Sequence, residues 1–234
     1  MNGVRRDFFV TGTDTGVGKT LVSATLLRRL RGQGRAVAGM KPVASGSVRT
    51  KDGLRNEDAL ALLAECSRPW PYEAVNPFCF EPSIAPHLAA AEVGSDIRLE
   101  PIERAFRKLQ AGCDVVVVEG AGGFLVPLGP ELSFADLPTA LGLEVILVVG
   151  LRLGCLNHAL LTAEAIERRG PRLAGWVGNL IDPEFDRLDA NVDSLERNID
   201  APCIGVIGHV DPPRVDRAVA ALRWPPGLVA AQDP

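Results

Sequence analysis

The sequence predicts a doubly wound α/β fold on a mainly parallel sheet, and three observations lead there. The candidate strands are short, nearly unbroken apolar runs, these runs alternate with amphipathic stretches, and each chemically useful residue falls just after a run. A strand without apolar/polar alternation is one covered on both faces, as in a parallel sheet between helix layers. Alternating strands and helices with right-handed crossovers place a ligand site beyond the carboxyl ends of the strands.

The elements follow in order. Phe8, Phe9 and Val10 open the first strand, 8–10. Residues 20–30 predict a helix, because Val22, Leu26, Leu27 and Leu30 share one face at helical spacing. Runs at 36–40, 115–118 (four valines), 145–149, 174–177 and 203–207 supply five more strands, with helices at 57–64, 102–111 and 156–168 between them. No repeat, low-complexity stretch or linker divides the chain, so one domain over residues 1–234 is expected, the Pro- and Ala-rich tail from Pro212 having no assigned role.

Composition bounds the function. A chain of 234 residues with 47% hydrophobic content can bury one sizeable core. The net charge of −4 is spread without runs of like charge, which argues against a polyanion partner or a basic membrane anchor. The amino terminus enters its first strand too soon for a signal peptide, and no apolar run is long enough to span a bilayer. Cys66, Cys79, Cys113, Cys155 and Cys203 show no metal-ligand spacing and read as reduced thiols, so a cytoplasmic protein is expected.

The sharpest signal is Gly12-Thr13-Asp14-Thr15-Gly16-Val17-Gly18-Lys19-Thr20, between a buried strand and an amphipathic helix. Backbone N–H groups in such a loop converge on phosphate oxygens, and the helix start adds positive potential. Gly16 and Gly18 admit the backbone to the ligand, Lys19 reaches the β- and γ-phosphates, and the Thr20 hydroxyl faces Mg²⁺. Thr13 stands where the usual pattern has its first glycine, but the strand–loop–helix context makes this a P-loop nucleotide site.

Lys41, after the second strand, can stabilise charge on a transferred phosphoryl group or a carboxylated substrate, with Ser45 donating to the same anion. Mg²⁺ needs hard oxygen ligands. Glu119 follows four valines, where an unpartnered carboxylate would be costly to bury, and Asp58 lies near the start of a helix. The histidines His87, His158 and His209 are far apart in sequence and form no triad or zinc spacing; His87 reads as structural and His158 as helix packing.

Six ordered segments, 11–20, 41–46, 54–60, 118–123, 153–158 and 174–179, resemble the dethiobiotin synthetase family, over about residues 7 to 208. The resemblance implies a homodimer of the P-loop NTPase type that converts 7,8-diaminononanoate, CO₂ and ATP to dethiobiotin, ADP and phosphate through a carbamate and its phosphoric anhydride. It implies that Lys19, Lys41 and Thr15 serve the chemistry, Ser45 serves the substrate, and Thr20, Asp58 and Glu119 hold Mg²⁺. Gly16, Val17, Gly18, Lys19, Thr20 and Leu21, with Gly120, Ala121 and Gly122, would surround ATP, Asn179 would read adenine, and Gly208, His209 and Val210 would flank the base. Gly154, Cys155, Leu156 and Asn157 would receive the substrate carboxylate at a helix start, from the neighbouring subunit. Two departures stand out: Gly208-His209 replaces a Pro-Trp pair, and Asn191 stands where some relatives place a substrate-binding tyrosine.

The chief rival is a switch ATPase of the partitioning type, which carries a signature lysine at position 14, where this chain has Asp14. An amidating enzyme would need a glutaminase domain, and a metal-insertion chaperone a His- or Cys-rich tract; neither is found in the sequence.

Overall fold

The computed structural model describes residues 5–209 and 215–223. In chain order the elements are β1 (Phe8–Gly12), α1 (Lys19–Gly32), β2 (Val37–Met40), β3 (Val43–Ala44), β4 (Val48–Thr50), β5 (Gly53–Arg55) and α2 (Glu57–Glu65). Next come α3 (Tyr72–Val75), β6 (Phe78–Cys79), α4 (Pro86–Glu92), α5 (Leu99–Gln110), β7 (Val115–Glu119), α6 (Asp136–Leu141) and β8 (Glu144–Leu151). The chain continues with α7 (Cys155–Arg169), β9 (Leu173–Leu180), α8 (Leu188–Asn198), β10 (Cys203–Ile207) and α9 (Val215–Ala221).

The six apolar runs form one parallel sheet in the order β10-β9-β8-β1-β7-β2. The lack of alternation has its expected cause. Phe8, Val10, Val115 and Val117 face a core layer with Leu26 and Leu27 of α1, while Phe9, Val116 and Val118 face the opposite layer with Phe106 and Phe134. Both faces of each central strand are buried, and removing each large side chain from water contributes about 1.5–3 kcal/mol.

Strand order reverses at β1, which pairs with β7 on one side and β8 on the other. The loops leaving neighbouring strands diverge there and open the crevice that this topology favours for ligands. Two small additions had no sequence signal: the two-residue pair β3–β6 and the antiparallel hairpin β4–β5. Two or three residues are too few to show a period, and β4 is exposed throughout.

His158 departs from expectation. It is exposed on α7, where Ala159 turns inward instead. No described helix is long and apolar enough to cross a membrane, and all five cysteines are free. Of the tail, α9 is described; it packs on α1 and supplies Asp216 to Arg28.

Candidate functional site

The phosphate loop links β1 to α1 and is tied to the sheet from beneath. Thr13 N donates to Val148 O at 3.0 Å, and Gly150 N donates to the Thr13 hydroxyl at 3.3 Å. That second bond gives the threonine a use at the place where the common pattern has glycine. Gly18 caps α1 at φ 93, in the left-handed region, and a Cβ there would lie 2.3 Å from Asn179 Nδ2. Backbone conformation and close approach both demand glycine.

Lys19 is the first residue of α1, is 7% exposed, and donates from Nζ to Asp14 O at 2.8 Å. Its pKa falls to about 8, chiefly through burial and secondly through the like charge of Lys41; Glu119, Asp58 and Asp14 oppose the shift. Asp14 sends its carboxylate the other way, to Arg152 at 2.7 Å.

Four side chains from four segments converge beside this loop. Lys41, just past β2, donates from Nζ to Glu119 Oε1 at 2.7 Å, Asp58 Oδ2 at 2.9 Å and Gly120 O at 3.0 Å. The Thr20 hydroxyl lies 2.8 Å from Asp58 Oδ1 and 2.9 Å from Glu119 Oε1. Lys41 is 3% exposed and Glu119 fully buried. Burial disfavours the Lys41 ammonium, but Glu119 and Asp58 outweigh it and raise its pKa. Burial likewise pushes Asp58 up, yet Lys41, Thr20 and Lys19 bring it below the usual carboxylate value. Cutting either partner from the buried Lys41–Glu119 pair costs about 3–5 kcal/mol.

These groups open onto a cavity of about 720 Å³. The structure brings Thr15, Gly16, Gly18, Lys19, Thr20, Lys41, Ser45, Asp58, Glu119, Ala121 and Gly122 to its wall. It adds residues not singled out from sequence: Ala44, Asn56, Ser83, Ile84, Ala85, Pro86 and Val126. Asn56 could have been found, since an Asn before an acidic helix start is a strong N-cap; it accepts from Ala59 N.

Other expected residues lie apart from this wall. Val17 is buried beneath the loop and Leu21 packs on the core. Gly120 is buried against Phe9. Asn179, 8% exposed, donates from Nδ2 to Val17 O at 2.9 Å. Gly208 is exposed and His209 approaches Leu180 O through Nδ1 at 3.3 Å, whereas Val210 lies outside the described residues. Gly154 caps α7, which Cys155, Leu156 and Asn157 then open; Cys155 is buried and Asn157 exposed. Asn191 donates to Arg187 O within α8.

Which residues suit a divalent cation follows from donor chemistry. Among the described residues no group of three or more His, Cys, Asp or Glu is arranged for a metal. Thr20, Asp58 and Glu119 offer three hard oxygens beside a phosphate loop, and Glu119 Oε2 is buried without a hydrogen-bond partner. Such a set fits Mg²⁺, which takes few protein oxygens and completes its shell from phosphate and water.

Adjoining the cavity at Val126, an apolar groove of about 400 Å³ is lined by Phe124, Leu125, Val126, Pro127 and Leu161 with Thr162 and Ala165. Leu125 and Leu161 are more than half exposed, and Leu153, two residues before α7, is 92% exposed.

Comparison with known proteins now bears on this geometry. An AAA-domain family model matches residues 6–213. Among solved structures, the signal recognition particle 54 kDa protein of Aeropyrum pernix K1 in complex with GDP aligns with TM-score 0.56 at 13% identity, covering 93% of this chain and 44% of that one. The MinC:MinD cell division complex of Aquifex aeolicus aligns at 0.57 and 18% identity, covering 92% and 86%. At such identities the likeness is one of fold, a P-loop NTPase.

Sequence relatives are far nearer. ATP-dependent dethiobiotin synthetase BioD of Aromatoleum aromaticum is 50% identical over 220 residues, 94% of this chain and 98% of the relative. Its namesake in Pseudomonas paraeruginosa is 54% identical over 199 residues, 85% and 87% of the two chains, and that in Xanthomonas oryzae pv. oryzae is 52% identical over 215, or 92% and 94%. With half of its residues shared along almost its whole length, the chain belongs to the ATP-dependent dethiobiotin synthetase family.

Proposed function

We propose that this protein is a ligase that uses ATP to close a ureido ring with CO₂ on 7,8-diaminononanoate, yielding dethiobiotin, ADP and phosphate. One observation carries the reading: Lys41, a buried cation held by Glu119 and Asp58, stands at the phosphate loop beside Thr20 and Lys19. Two ammonium groups and a hard-oxygen triad at one cavity suit a reaction in which two anions, a carbamate and a polyphosphate, must meet. The family's sequence relatives support the choice of reaction.

The steps balance as follows. One substrate amine adds to CO₂ and loses a proton, giving a carbamate. A carbamate oxygen attacks the γ-phosphorus, the bond to ADP breaks, and a carbamic–phosphoric anhydride forms. The second amine attacks its carbonyl and gives up a proton to the departing phosphate, the carbonyl–oxygen bond to phosphate breaks, and the ring closes. Lys41 would turn from its carboxylates to the carbamate, and Ser45 and Thr15, both on the cavity wall, would donate hydroxyls to it or to the substrate. Lys19 would exchange the Asp14 carbonyl for phosphate oxygens, with Gly16, Val17, Gly18, Thr20 and Leu21 presenting the amides of the loop and helix start. Gly120, Ala121 and Gly122 would bound the phosphates on the β7 side.

Thr20, Asp58 and Glu119 would hold Mg²⁺, which when bound neutralises polyphosphate charge and orients the transferred group. Asn179, Gly208, His209 and Val210 would form the base site, an amide suiting adenine because it both donates and accepts.

A homodimer of this single 1–234 domain, in the cytoplasm, completes the reading. The exposed apolar groove beside α7 supports association, and Gly154, Cys155, Leu156 and Asn157 would offer helix-start amides to a substrate carboxylate across the interface. A switch ATPase of the partitioning type would carry a lysine at position 14, where this chain has Asp14 paired with Arg152.

The test is phosphate release from ATP and Mg²⁺ with and without diaminononanoate and bicarbonate, repeated with CTP and GTP. Release is expected only with the diamine. Lys41→Met is expected to bind ADP but lose at least ~3 kcal/mol of transition-state stabilisation, about a hundredfold in rate. Release indifferent to the diamine would refute the assignment.

A further inference from the structure

Behind the cavity wall runs a buried polar chain in which the sole tyrosine takes part. Tyr72, Asn76 and Asn56 are 8%, 2% and 7% exposed. The Tyr72 hydroxyl accepts from Asn56 N at 2.8 Å and donates to Asn76 Oδ1 at 3.0 Å. Asn76 Nδ2 donates to Lys41 O at 2.7 Å and to Phe78 O at 3.0 Å, and Lys41 N donates to Val75 O at 2.8 Å. Asn56 caps α2 through Ala59 N at 3.2 Å and donates from Nδ2 to Ser45 O at 3.3 Å. The network therefore ends on the backbone of Lys41, on that of Ser45, and on the helix turn carrying Asp58.

We infer that Tyr72, Asn76 and Asn56 are positioning residues: they form a brace that sets the spacing of Lys41, Ser45 and Asp58. This rests on the proposed roles of those three residues. Three features argue for it over mere satisfaction of buried polar groups. Lys41 leaves β2 where the ladder ends, so its main chain needs another holder, and Asn76 and Val75 clamp both its carbonyl and its N–H. The Tyr72 hydroxyl satisfies the N–H of the α2 cap residue while Asn56 Oδ1 satisfies Ala59 N, fixing the turn on which Asp58 rides. Arg55, next to Asn56 in sequence, stacks 4.1 Å from the Tyr72 ring centroid and covers the ring that carries the central hydroxyl. Anion and metal sites lose activity when their groups shift by about 1 Å, and a buried, fully bonded support prevents such a shift.

The test separates positioning from folding by comparing two variants. Tyr72→Phe cuts both arms, to Asn56 and to Asn76; Asn76→Ala cuts the bonds to Lys41 and Phe78 and leaves the Tyr72 bond to Asn56. ADP affinity is measured by calorimetry with EDTA and with Mg²⁺, alongside kcat and KM for ATP. Tyr72→Phe is expected to keep its metal-free ADP affinity within about twofold, to lose at least ~threefold of the Mg²⁺ enhancement, and to lower kcat at least ~tenfold with KM for ATP little changed. Asn76→Ala is expected to lower kcat similarly while keeping the Mg²⁺ enhancement. A lower melting temperature with wild-type Mg²⁺ enhancement and kcat in both variants would overturn the brace. Absence of diamine-dependent turnover in the wild type would instead sink the functional reading, and the Mg²⁺-linked ADP arm would still decide whether Tyr72 positions Asp58.

Discussion

Lys19 lies almost out of solvent with its ammonium on the Asp14 carbonyl, and burial and Lys41 bring its pKa to about 8. In the unfolded chain a lysine titrates near 10.5, so between about pH 8 and 10.5 the folded state has already released a proton that the unfolded state keeps. For this group, stability rises with pH across that window. Binding behaves oppositely, because a polyphosphate stabilises the charged ammonium. ADP binding should therefore take up about half a proton at pH 8, nearly one at pH 9 and almost none at pH 6.5. Calorimetry in buffers of different ionisation enthalpy measures this uptake; Lys19→Arg should abolish it, and a pH-independent proton count in the wild type would refute the shift. At this scale much of the site was legible. Lys19, Thr20, Lys41 and Glu119 each follow an apolar run or a loop signal that fixes where their side chains emerge. Ser83, Ile84 and Ala85 carried no such signal, because they reach the cavity from an irregular segment before α4 whose path depends on tertiary packing. Asn76 was invisible for a similar reason: only the folded chain brings it to the Lys41 carbonyl, 35 residues away in sequence.

Between residues and the whole, the contact of β2 with α2 decides whether Lys41 and Asp58 face each other. Gly39 makes that contact possible. A Cβ at Gly39 would lie 2.8 Å from Leu62 Cβ, 2.9 Å from Leu27 Cδ1 and 3.2 Å from Leu62 O, and two of these neighbours belong to one turn of α2 that cannot simply rotate away. Gly39→Ala is expected to destabilise the fold by about 1–3 kcal/mol through overpacking, read as a shift in the urea midpoint at unchanged m-value. A midpoint equal to wild type would show that α2 yields freely. The six sheet strands were readable as nearly unbroken apolar runs, and α1, α2, α5 and α7 because their apolar spacing repeats long enough to set a period. The pair β3–β6 and the hairpin β4–β5 were not, although Ala44 of β3 and Ser45 after it line the cavity. Apolar period marks what must be buried, whereas the wall of a polar cavity is chosen by other criteria.

For the molecule as a whole, the proposed homodimer would bury the apolar groove along α7, and the proposed substrate-carboxylate segment opens the same helix. Leu161, 57% exposed at that groove, gives access to the question. Leu161→Glu should place a charge in an apolar contact, shift the protein to monomer in sedimentation at micromolar concentration, and raise KM for the diamine more than KM for ATP. A wild-type dimer in this variant would move the interface elsewhere.

The strand order carries one more consequence, for the chain during its synthesis. Phe8 of β1 pairs with Val117 of β7 and with Glu144 of β8, and Thr13 N is held by Val148 O. The phosphate loop is thus made before the segments that fix it, since its flanking strand has no sheet partner until β7 and β8 have left the ribosome. A nascent chain that stops short of β7 and β8 carries β1 as an unpaired apolar strand and the nucleotide motif without the sheet that holds it, so affinity for ATP is expected only once β8 has emerged.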